Sequence, residues 1–181
     1  MSVYTGGKFY PLDPREDEVH IEDIAHALSL MNRFNGHTKY PYSVGQHSVL
    51  ISKLIQKHGW GKNEQLFGLL HDAAEAYIGD VIRPFKHYLP NFKIYEDKIL
   101  ACVCRRFGVE MHTRTLAVCK EYDNLLCAAE KRDLHPTKIV WENMSDPSGV
   151  PTITPWGHSY AKGAFIKRYN ELVSGVERAA A

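Results

Sequence analysis

Leu66-Phe67-Gly68-Leu69-Leu70-His71-Asp72-Ala73-Ala74-Glu75-Ala76-Tyr77-Ile78-Gly79-Asp80 opens as one side of a buried helix, then sets a histidine and an aspartate side by side. Burying that pair is costly unless something compensates it. A hydrogen bond between the two would be one compensation. Glu75 follows His71 by four residues and Asp72 by three, so on a helix all three can project into one pocket. The apolar spacing predicts a helix from about Asn63 to Gly79.

Working outward, helical signals dominate the chain. Ile21, Ile24, Ala25 and Leu28 recur at helical spacing over Ile21 to Leu30, with Glu22 and Asp23 in the first turn, where the helix dipole favours them. Ser43-Val44-Gly45-Gln46 is a capping-box pattern opening a helix that stops at Gly59. Further helices are expected from Asn91 to a Gly108 stop, from Thr113 to Leu134 ahead of Pro136, and over 160–175. Only Lys8-Phe9-Tyr10 and Ile139-Val140-Trp141 look extended, as a minor β-hairpin. Residues 136–158 hold Pro136, Pro147, Pro151 and Pro155 and read as a long surface loop or lid. The expected fold is a single all-α helical bundle over residues 1–181.

Composition narrows the function classes. A chain of 181 residues buries roughly 70% of its unfolded surface and needs no staples. Apolar residues are 44% and charged residues 24%, ordinary for a globular chain and unlike a disordered or fibrous one. The longest unbroken apolar run, Ile99 to Cys104, falls far short of the ~20 residues of a membrane span. The start, Met1-Ser2-Val3-Tyr4-Thr5-Gly6-Gly7-Lys8, has no apolar core of a signal peptide. Lys and Arg total 22 against 21 Asp and Glu, which argues against stable nucleic-acid binding but leaves room for a small anion held by local cations. Cys102, Cys104, Cys119 and Cys127 match no zinc-ribbon or finger spacing and read as reduced core thiols of a cytoplasmic protein. Histidine stands out, at 10 residues.

Three helices share one anomaly. His47 lies on the apolar face of Ile51 and Leu54, His71-Asp72 ends an apolar run, and Asp123 sits inside a stripe of Leu116, Cys119, Leu126 and Cys127. A divalent cation where the three helices meet would satisfy His47, His71, Asp72 and Asp123 together. Imidazole with carboxylate suits Zn, Co, Mn, Fe or Ni. A site of this kind keeps positions open for water and substrate.

The order His47 … His71-Asp72 … Asp123 resembles the HD-domain metal-dependent phosphohydrolases. Gln46-His47-Ser48, the stretch Leu69 to Asp80, and Tyr122-Asp123 resemble their small bacterial and phage branch, which contains 5′-deoxynucleotidases and phage dATP triphosphohydrolases. Ile21 to Leu28 and Asn32-Arg33-Phe34-Asn35-Gly36-His37-Thr38 are similar to the same branch, and the likeness spans about residues 6 to 135. It implies His47, His71, Asp72 and Asp123 as ligands of one divalent metal, with additional divalent ions accompanying a phosphate tail. It implies Glu75 as the carboxylate assisting the attacking water or leaving group, and Asp80 as a second acid contacting the sugar or supporting the metal ligands. Arg33 and Lys86 are implied on the substrate phosphate, with Arg83 beside them. Phe34 stands where relatives often carry Trp, so base or sugar selection is expected to differ. Tyr77 and Trp156 are further stacking candidates. The implied substrate is a deoxynucleoside 5′-phosphate, with dATP hydrolysed to nucleoside and triphosphate. The alternatives are dNMP hydrolysis and nucleotide binding without turnover. A homo-oligomer is expected.

Overall fold

The computed structural model describes residues 1–137, 139 and 141–174. Eight α-helices account for the architecture of the described residues: α1 (Ile21–Leu30), α2 (Val44–Lys57), α3 (Lys62–Leu70), α4 (Glu75–Ile78), α5 (Arg83–Lys86), α6 (Pro90–Arg106), α7 (Thr113–Leu134) and α8 (His158–Val173). Short 3₁₀ turns occur at Glu16–Glu18, Arg33–Gly36 and Pro147–Gly149. The bundle is all-α, as the periodicity predicts. Among the described residues, extended pairing is confined to isolated bridges, Ser2 with Lys8 and Asn32 with Ser43. Lys8 thus pairs with the N-terminal segment, and among the described residues no bridge joins it to Ile139 or Trp141 of the expected hairpin. Val140, between those two, lies outside the described residues, as does Gly175 of the expected last helix.

Helix α2 forms the centre, packed against α1, α3, α7 and α8. Its start is fixed by Ser43, whose hydroxyl accepts from the Gln46 amide at 3.1 Å. Two glycines let its neighbours approach. A Cβ on Gly45 would lie 2.8 Å from Ser29 Oγ and 3.1 Å from the Ser29 amide of α1, and one on Gly68 would lie 2.6 Å from Ile55 Cδ1 and 3.0 Å from Ile51 Cγ2 of α2. Gly68 therefore lets the end of α3 lie against α2 one turn before His71. Ile24, Leu28, Ile51, Ile55, Leu69, Leu70, Ile99, Leu126 and Phe165 fill the interior.

The continuous helix expected from Asn63 to Gly79 is broken. Helix α3 ends at Leu70, residues 71–74 form a turn, and α4 resumes at Glu75. The cause is local. The His71 imidazole donates from Nδ1 to the Gly68 carbonyl at 2.9 Å. The following amides bond three residues back, with Ala73 N to Leu70 O at 2.8 Å and Glu75 N to Asp72 O at 3.0 Å. Arg83 opens the one-turn helix α5, with Pro84 in its first turn. Leu116, placed in the buried stripe of α7 by its spacing, is 41% exposed, and Val118 and Tyr122 take that place.

The proline-rich segment, expected to be a long surface loop or lid, is tied to the bundle over residues 147–156. Arg132 donates to the carbonyls of Pro147 and Val150, and the Ile153 amide donates to Asp133. Gln46 donates to the Thr154 carbonyl and accepts from the Trp156 amide, each at 2.8 Å. Among the described residues, no helix is long and apolar enough to cross a membrane.

Candidate functional site

His47, on α2, is fully buried, and its two ring nitrogens face different partners. Nδ1 lies 2.6 Å from Oε1 of Glu130. Nε2 lies 3.4 Å from Asp123 Oδ1 and 3.7 Å from Asp72 Oδ2. His71 repeats the arrangement: with Nδ1 spent on the Gly68 carbonyl, Nε2 points inward, 3.2 Å from Asp72 Oδ2. One ligand atom from each of His47, His71 and Asp72 lies within 4.8 Å of the others. Helix α2 and the turn after α3 thus bring His47 and His71-Asp72 together, and Asp123 of α7, outside that group of three, adjoins it through His47 Nε2.

Neither Nε2 has a hydrogen-bond partner among the described residues. Two buried imidazole nitrogens held by their opposite edges, beside the Asp72 carboxylate, form a group that could hold a metal ion. The charges agree. Burial and Arg33 pull the His47 pKa down, but the negative charge of Glu130 and the nearby Asp123 carboxylate outweigh them and take it up to about 9. Burial opposes ionisation of Asp72 and Asp123, yet the imidazoles and Arg33 hold both carboxyls below their ordinary range. In the ion-free chain, a proton on His47 supplies part of the positive charge these acids need.

Glu130 of α7 joins the site although no motif in the sequence marks it. It is wholly buried and accepts from the Tyr42 hydroxyl at 2.8 Å and from Arg33 Nε at 3.2 Å, besides facing His47. The available signal was its spacing, seven residues after Asp123 and so on the same face of α7. Arg33 also reaches Asp72, with Nη1 at 3.5 Å. The turn that carries it is strained, since Phe34 and Asn35 have φ of 54° and 50°.

A cleft of about 590 Å³ opens on this centre. Asp72, Asp123, Glu75, Asp80, Arg33, Phe34, Arg83 and Lys86 all line it, joined by Lys120, Cys127 and Trp141. Tyr77 and Trp156 do not: Tyr77 stacks on Phe9 at 3.7 Å in the core, and Trp156 packs on Tyr160 at 5.1 Å. Glu75 is 4% exposed, and its Oε2 lacks a partner among the described residues. Burial first, then Asp72 and Asp80, push its pKa upward, with Lys86 at 3.4 Å opposing. Burial also raises Asp80. Phe34 meets His135 edge-on at 4.9 Å and lies 6.0 Å from Trp141, making an aromatic end to the cleft.

No family model matches the chain. It is 39% identical over 112 residues to an uncharacterized protein of Rhodobacter capsulatus, spanning 59% of this chain and 57% of that one. It is 34% identical over 179 residues to the uncharacterized protein YfdR of Escherichia coli (strain K12), covering 95% of this chain and 94% of the relative. At that identity over nearly the whole of both chains, the chain belongs to the family of YfdR.

Proposed function

We propose that this protein is a divalent-metal-dependent phosphohydrolase of the HD-domain type, acting on deoxynucleoside 5′-phosphates. The observation that carries the reading is the pair of unpartnered, inward-facing Nε2 atoms of His47 and His71 beside Asp72 and Asp123. His47, His71, Asp72 and Asp123 would hold the ion, whose chemistry there is to polarise a phosphoryl oxygen and acidify a water.

The chain's own groups complete the site. Arg33, braced by Glu130, offers a planar guanidinium suited to a phosphate. Glu75, whose buried and acidic surroundings favour its protonated form, sits at the cleft wall for proton transfer. Lys86 lies 3.4 Å from Glu75 and supplies positive charge where phosphoryl oxygens gain negative charge. The cleft volume falls within the roughly 300–1,000 Å³ of small-molecule sites. Phe34 and Trp141 give one end flat faces suited to a base.

The test is to load the full chain with Mn, Co, Ni or Zn in turn and incubate it with every dNMP and dNTP, identifying products by mass spectrometry. The expected result is release of free deoxynucleoside, with dATP giving deoxyadenosine and intact triphosphate. Absence of turnover with every ion, or turnover insensitive to a chelator, overturns the reading. Nucleotide binding without turnover would make the chain a binding module.

A further inference from the structure

A second cavity, of about 260 Å³, lies apart from the cleft and shares no lining residue with it. Val3 and Tyr4 of the N-terminal segment, Asp23 and Ala27 of α1, and Ala76 and Tyr77 of α4 form its walls. The segment is fastened there by Phe9, whose amide and carbonyl both bond to Met1 and whose ring stacks on Tyr77 at 3.7 Å. Ala76 and Tyr77 follow Glu75 directly on α4, so the cavity and the cleft draw on the same one-turn helix.

Two polar groups on its walls lack the partners that their burial calls for. Asp23 is 3% exposed and accepts from the Thr5 amide at 2.7 Å and the Thr5 hydroxyl at 3.1 Å, but among the described residues no cation pairs with it. Burying a charge is costly unless it is paired. Tyr77 is 6% exposed, and its buried hydroxyl has no hydrogen-bond partner among the described residues. Burial first, then Asp23, push the Tyr77 pKa up, so the hydroxyl lies within the field of that carboxylate and keeps its proton. One water, at about 30 Å³, would satisfy a hydroxyl but bring no positive charge, and the cavity is several times larger. Val3, Ala27 and Ala76 give the other walls an aliphatic surface. Tyr4 shows that this corner attracts ammonium groups: Lys162 Nζ lies 3.9 Å from the centre of its ring, and His26 stacks on it at 3.7 Å.

We propose that this cavity is a second small-molecule site, which takes a compact aliphatic amine with its primary ammonium between Asp23 and the Tyr77 hydroxyl. An ammonium has three donors and no acceptor. It supplies Asp23 with the missing positive charge and Tyr77 with a donor to its oxygen, while the alkyl chain covers the aliphatic walls. The volume falls just under the roughly 300–1,000 Å³ of drug-sized sites, which limits the ligand to a short chain. The site stands whether or not the phosphohydrolase reading holds.

The probe is n-butylammonium, with n-butanol as the uncharged control, each titrated into the full isotope-labelled chain while amide shifts are followed by NMR. The expected result is saturable shifts at Asp23, Ala27, Ala76 and Tyr77 with a Kd of about 1 mM, and none with n-butanol. Tyr77→Phe should weaken the ammonium about tenfold, and Asp23→Asn about 10- to 100-fold. In ligand-free protein, Tyr77→Phe should also raise Tm by about 2–4 °C, because it removes a buried hydroxyl that has no partner. A hydroxyl already satisfied by water gives an unchanged or lower Tm instead, which overturns the site. The absence of saturable binding, shifts confined to the cleft around Asp72 and Asp123, equal binding of n-butanol, or binding unmoved by Tyr77→Phe overturns it as well. Where Asp23→Asn loosens the bonds to Thr5, Tyr77→Phe alone, which keeps the ring on Phe9, decides the outcome.

Discussion

Glu130 ties together groups that the chain supplies from three places: His47 from α2, Tyr42 from the segment before it, and Arg33 from the strained turn after α1. Its bond to Nδ1 aims Nε2 of His47 at the acids, as partners behind metal ligands commonly do. Glu130→Gln keeps the shape but removes the charge opposite Arg33, so affinity for a divalent ion should fall about 10- to 100-fold, measured by competition with a fluorescent chelator. Glu75 behaves in the opposite sense to the acids around the candidate centre. Its folded pKa is raised, so the folded state binds more protons than the unfolded one, and stability from this group is lost as pH rises above its ordinary range. Asp72 and Asp123 are depressed, so their contribution is present above the ordinary carboxylate range and lost as pH falls. Glu75→Gln should therefore raise the Tm of ion-free protein at pH 7 and not at pH 4. A relief of about 1 kcal/mol corresponds to about 2–4 °C in calorimetry. The same variant should take up metal normally and lose about 10²–10⁴ in turnover.

Among the elements, the break between α3 and α4 matters most. The ladder yields where the His71 side chain takes the carbonyl that the Asp72 amide would otherwise use, and the turn brings Asp72 beside His47. Helix contacts set the remaining distances. Gly45→Ala would drive a methyl group into the Ser29 backbone, where it has little room to give way. The cost should be about 1–3 kcal/mol, read as a fall in thermal midpoint. Gly163→Ala on α8 is the contrasting case. Nothing lies within 4 Å of the added Cβ, so the helix should gain about 0.5–1 kcal/mol.

For the whole molecule, ion binding and folding are linked. An ion held only by the folded chain stabilises it by about 2.7 kcal/mol at a hundredfold excess over Kd, so Tm should climb with ion concentration and return on chelation. Much of the bundle was legible in the sequence. The span of α1 follows from apolar spacing alone, the start of α2 from the Ser43 cap, and the span of α7 from a pattern ending before Pro136. These signals are local, acting within a turn or two of helix. His47, His71, Asp72 and Asp123 were legible for a related reason: a polar group on an apolar helical face is visible without knowing what it faces. Glu130 and Lys120 were not, because a buried acid and an exposed lysine on α7 look ordinary until α2, α5 and the Arg33 turn are packed around them. Periodicity could predict where helices run and which polar residues they carry inward. Only the packed structure decided which charges share a partner, because Coulomb interactions depend on distances between segments far apart in the chain.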